Sequence, residues 1–82
     1  MEIKEFIENW IKIMQKKYTS LRWKYTYSEK KQTHYIEVGP NRYVWDNESY
    51  CKDENIFSLE LDSKYPDELV LFLDDIDIIN HE

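Results

Sequence analysis

Three groups of side chains in this sequence are of types that do chemistry. The first is Asp74, Asp75 and Asp77, three carboxylates that directly follow the apolar run Leu-Val-Leu-Phe-Leu at 69–73. Carboxylates at the end of a buried strand hold metal ions in many nucleotide-handling sites. Here no glycine-rich phosphate loop accompanies them, since Gly39 is the only glycine in the chain. Solvated turn or helix-capping carboxylates are the simpler reading, and no metal or cofactor is expected. Asp53, Glu54, Glu60 and Asp62 likewise read first as an exposed acidic face.

The second group is Cys51 with His34 or His81 and an aspartate, the parts of a cysteine nucleophile. Such a nucleophile needs a stabilised thiolate and an oxyanion hole. Glu48, Asp53 and Glu54 are neighbours of the wrong sign for a thiolate, so no catalytic residue is expected and the chain does not read as an enzyme. His34 reads as a strand residue at a sheet edge, and His81 as a tail residue.

The third group is Arg22, Lys24, Thr26 and Tyr35, with Lys30 and Lys31 close by in sequence. Basic residues interleaved with aromatics on a sheet are a common way to hold nucleotides or single-stranded nucleic acid. The same residues are also ordinary filling for a solvent face.

Charge is distributed unevenly along the chain. Residues 1–31 carry a net +4 and residues 32–82 a net −10, for −6 in total. An acidic protein is repelled by nucleic acid phosphates and anionic membranes and attracted to basic partners. An internal match, with basic early segments lying against acidic later ones, accounts for part of the asymmetry equally well. The single cysteine, Cys51, cannot pair within the chain, and a reducing, cytoplasmic setting is the default. The first residues lack a basic n-region and an apolar h-region, so no signal peptide is expected, and no apolar run approaches the roughly 20 residues of a membrane span.

The elements that must position these groups follow from periodicity. Residues 2–18 place Ile3, Phe6, Ile7, Trp10, Ile11, Met14 and Tyr18 at three- and four-residue spacing, which predicts an amphipathic helix. Residues 21–28 alternate, with Leu21, Trp23, Tyr25 and Tyr27 on one face and Arg22, Lys24, Thr26 and Ser28 on the other. Residues 33–38 alternate too, with His34, Ile36 and Val38 opposite Tyr35 and Glu37. Together they predict an antiparallel hairpin whose register the loop at 29–32 leaves open. The scarcity of glycine argues against turns that need a positive φ. Residues 42–45 read as an optional further strand.

Residues 48–64 fit a helix capped at Asp46 or Asn47 and ended before Pro66, with Tyr50, Glu54, Phe57, Leu61 and Tyr65 on one face. The competing pattern is a strand in which Phe57, Leu59 and Leu61 alternate with polar residues. The helix reading leaves Ile56 and Leu59 facing away from the core. The run at 69–73, apolar on both sides, reads as the central strand, buried on both faces. Either the two helices cover opposite faces of the sheet, or a second copy of the chain covers one. After it, Asp74 caps a short final turn, or Ile76 to Ile79 forms a strand.

The expectation is a single compact α+β domain of order α-β-β-(β)-α-β, with two helices on a small, mainly antiparallel sheet. The charge distribution and the supply of aromatic anchors imply a small acidic protein-binding module. Immunity proteins, antitoxins and phage-encoded inhibitors, which occupy basic surfaces of nucleic-acid-handling partners, are the class analogy. Asp74, Asp75, Asp77, Asp53, Glu54 and Trp45 are the expected contacts. The alternative is a nucleotide or single-stranded nucleic-acid module using Arg22, Lys24, Tyr35, Lys30 and Lys31 on the hairpin of residues 21–38.

Overall fold

Helix α1, Ile3–Lys17, forms where the apolar spacing predicts it, and Ile3, Ile7, Ile11 and Met14 are its buried residues. Lys16 and Lys17 in its last turn complement the negative end of the helix dipole. The computed structural model describes residues 2–40, 44 and 46–73. Strands β1, Arg22–Ser28, and β2, Thr33–Gly39, pair antiparallel, with Ser28 opposite Thr33 and Arg22 opposite Gly39. Their four-residue loop closes with the Gln32 N–H on the Glu29 carbonyl at 3.3 Å. Gln32 sits at φ 50, so the turn takes a left-handed residue without glycine, contrary to the expectation from composition.

Helix α2, Glu48–Lys64, starts at Asn47, whose side chain accepts the Tyr50 N–H at 3.0 Å. It ends where the Tyr65 N–H reaches the Leu61 carbonyl at 2.8 Å, just ahead of Pro66. The strand pattern within this segment is not used. Strand β3, Leu69–Leu73, runs parallel to β2, with Thr33 opposite Leu69 and Glu37 opposite Leu73. Of the optional strand at 42–45, only Val44 is described, and its N–H donates to the Pro40 carbonyl at 3.3 Å. The segment after β3 lies outside the described residues.

Three expectations need correcting. The sheet order is β1-β2-β3, so β2 is the middle strand among the described residues. Every residue of β2 except Tyr35 is buried, whereas Leu69 and Leu71 of β3 are 52% and 41% exposed. An apolar run on both sides of a strand does not distinguish the middle of a sheet from its side. The sheet is also mixed rather than mainly antiparallel. A parallel pair needs a crossover of a dozen residues or more, and α2 with its flanks supplies one between β2 and β3.

Finally, the helices share one face of the sheet. Ile3, Ile7 and Ile11 of α1, Ile36 of β2, and Phe57 and Leu61 of α2 form one buried cluster, with Trp23, Tyr25, Val70 and Phe72 packed against it. Trp10 stacks on Phe57 at 4.2 Å and 2°, and Phe72 meets both rings edge-on at 6.0 and 6.4 Å. Met14, Leu21, Val38 and Tyr50 continue the core, and the fully buried Tyr50 hydroxyl accepts the Trp23 indole N–H at 3.1 Å. Ile56 and Leu59 are exposed, as the helical spacing requires. Among the described residues no helix is long and apolar enough to cross a membrane.

Candidate functional site

Among the described residues both helices lie on one side of the sheet, and the alternation of the strands leaves the other face without a helix. On it, Lys24 of β1 stands opposite Glu37 of β2, and Thr26 opposite Tyr35. On the other side of β2, Leu71 stands opposite Tyr35 and Leu73 opposite Glu37. Lys24, Thr26, Ser28, Lys31, Tyr35, Glu37 and Leu73 line a groove of about 580 Å³. The exposed Leu69 and Leu71 lie on the same face.

Glu37 is the unusual member of this face. It is only 6% exposed, and its Oε2 is buried without a hydrogen-bond partner among the described residues. Lys24 and Lys31 share the groove, yet among the described residues neither forms an ion pair with it. A buried acceptor left unmade costs free energy that the free protein does not recover.

The structure thus brings together Lys24, Lys31 and Tyr35 of the predicted basic and aromatic set. Arg22 lies at the far end of β1, opposite Gly39, and Lys30 is exposed in the hairpin loop; neither lines the groove. Of the predicted acidic set, Asp53 is held internally by the Lys17 ammonium at 2.8 Å and the Tyr18 hydroxyl at 2.6 Å. The Lys17 and Tyr18 hydrogen bonds keep its carboxyl below the usual range, and here the basic first helix does lie against the acidic second one. Burial pushes the Glu54 carboxyl up, partly offset by hydrogen bonding with Tyr50. Trp45, Asp74, Asp75, Asp77 and His81 lie outside the described residues.

His34 is placed differently from expectation. It is buried on the middle strand rather than at a sheet edge, because β3 covers the side of β2 that β1 does not. Its Nδ1 is 2.6 Å from the Tyr25 hydroxyl, and its ring packs on Tyr25 and on Tyr27 at 5.8 and 4.5 Å. Its Nε2 lies 3.6 Å from Glu68 Oε1, beyond hydrogen-bond reach. Hydroxyl, imidazole and carboxylate therefore stand in line beside a groove lined by Lys4, Glu8, Tyr25, Tyr27 and His34. Burial, with Glu8 and Glu68 nearby, pushes the Tyr25 hydroxyl up, so this line holds a neutral phenol and not a nucleophile. The period-two pattern already put His34 on the Ile36 face, but its contact with Tyr25 and Tyr27 depends on a register that the sequence left open.

Cys51 donates its thiol to the Val44 carbonyl at 3.3 Å on α2. Among the described residues no three His, Cys, Asp or Glu side chains gather as a metal ion requires. No protein-family model, curated protein or solved structure matches the chain.

Proposed function

We propose that this protein is a small binding module that docks a basic segment of a protein partner on the helix-free face of its sheet. The observation that supports the reading best is the exposure of Leu69 and Leu71, 52% and 41%, beside Tyr35 and a polar groove, on a face that neither helix covers. Apolar and tyrosine anchors rimmed by polar groups have the composition of a protein interface. The net charge of −6 favours a cationic partner and speeds the encounter with it. The module is of the kind that inhibits a nucleic-acid-handling partner by occupying its basic surface, as immunity proteins and antitoxins do. Asp53, held by Lys17 and Tyr18, supports the fold rather than this contact.

A second reading is favoured by Lys24, Lys31 and Tyr35 meeting in one groove, which suits a nucleotide or single-stranded nucleic acid. Glu37 in the same groove opposes a phosphate. Affinity capture from host lysate at low and moderate salt tests the first reading, run with the wild-type chain and with Leu71→Asp. Recovery of a basic protein that is lost both on adding salt and on substitution is expected. Equal recovery by both chains would overturn the proposal. A rise in melting temperature on adding AMP or an oligothymidylate would shift the assignment to the second reading.

A further inference from the structure

We infer that Glu37 is a receptor for a guanidinium group, so that an arginine of the docked segment seats on its carboxylate beside the Tyr35 ring. This rests on the helix-free face being the docking surface. Glu37 is more than nine-tenths buried, lines the groove, and has one carboxylate oxygen without a partner. That oxygen is an acceptor in want of a donor, and none of the described residues supplies one. Tyr35 is two residues earlier on the same face of β2, so the two positions lie about 6.5 Å apart along the strand, and both side chains line the groove. A planar guanidinium both stacks on an aromatic ring and donates two N–H groups to one carboxylate, which an ammonium does not. Leu73 opposite Glu37 and Leu71 opposite Tyr35 give the aliphatic stem of an arginine an apolar wall.

Lys24 and Lys31 are the obvious objection, because they bring like charge to the groove. Both are exposed, where water screens them, while Glu37 is buried, where an opposite charge counts for more. A guanidinium seated at Glu37 gains more from that carboxylate than it loses to the two lysines at the rim.

The test uses the ¹⁵N-labelled 82-residue chain and three capped tetrapeptides, of arginine, lysine and glutamate, followed by amide chemical shifts. The tetra-arginine peptide is expected to move the resonances of Lys24, Tyr35 and Glu37 in preference to those of α2. Glu37→Gln, which keeps the side chain's size, should weaken that binding by about ten-fold or more while the spectrum stays dispersed. Lys24→Met should tighten it, an effect that a merely structural role for this face would not produce. Equal binding by Glu37→Gln, or shifts confined to the helices, would overturn the inference. If Leu71→Asp abolishes capture of the host partner but Glu37→Gln does not, the guanidinium site fails and the docking face stands. If Leu71→Asp leaves capture intact, the docking face itself fails.

Discussion

Replacing Glu37 by leucine should make the free protein more stable. The side chain is 6% exposed, one carboxylate oxygen has no partner among the described residues, and the residue across the parallel pair is Leu73. An unsatisfied buried polar group costs about 1–3 kcal/mol, and a leucine of similar size removes that cost. Against this, Lys24 loses a cross-strand neighbour of opposite charge, a pairing that contributes about 0.2–1 kcal/mol. The balance is a gain of about 1–2 kcal/mol. A chain of this size has about 4–12 kcal/mol of stability in all, so the gain is a sizeable fraction. It corresponds to a rise in melting temperature of about 4–8 °C per kcal/mol. Urea unfolding followed by tryptophan fluorescence reads it as a higher midpoint at an unchanged slope. The same variant should lose its basic ligand, so stability and binding move in opposite directions, as expected where a site is kept at a cost to the fold. A midpoint lowered by the equivalent of 1 kcal/mol or more would refute the reasoning, because it would mean that Glu37 holds the sheet together.

Other perturbations test the fold and its titration. Phe57→Ala removes a ring that stacks on both Trp10 and Phe6 and meets Phe72 edge-on, and should cost about 3–5 kcal/mol in urea unfolding; a loss under about 1 kcal/mol would contradict the packing. Gln32→Gly relieves a left-handed residue at φ 50 and should stabilise the hairpin by about 0.5–1 kcal/mol, whereas a loss would show that the glutamine side chain is needed. Burial raises the Glu54 carboxyl, so the fold favours its protonated form. That preference is fully present below the ordinary carboxyl range and is lost as pH rises through the folded value. Glu54→Gln should therefore be the more stable chain at neutral pH, the two converging below about pH 4 in thermal melts across pH; parallel curves would contradict the shift.

Much of the fold was legible because single residues settle single elements. The Ile3, Ile7, Ile11, Met14 stripe needs no partner to be recognised as a helix face, and α2 is fixed at its ends by the Asn47 side chain and by Pro66. The alternation at Trp23, Tyr25 and Tyr27 sorted both hairpin strands onto their faces. What the pattern did not carry was relative placement. The run Leu69–Leu73 is equally apolar whether it sits in the middle of a sheet or beside it, and its parallel pairing depends on how α2 crosses over. The groove was half legible: Lys24 and Tyr35 were visible as one face, but the role of Glu37 was not. Its distinction is a missing hydrogen bond, and no sequence pattern records one. The same limit hid the His34 line, which depends on the Tyr27–His34 register.

The claim that the helix-free sheet face is the docking surface is tested most directly by two matched substitutions in one capture assay. Leu71→Asp alters that face, and Leu59→Asp alters a residue of α2 that is 70% exposed on the helical side. Each adds one negative charge to an exposed leucine, so both chains should fold and carry the same net charge. Leu59→Asp is expected to recover the basic host partner as the wild type does, and Leu71→Asp is expected to lose it. Loss with Leu59→Asp and retention with Leu71→Asp would move the binding surface to the helices and contradict it.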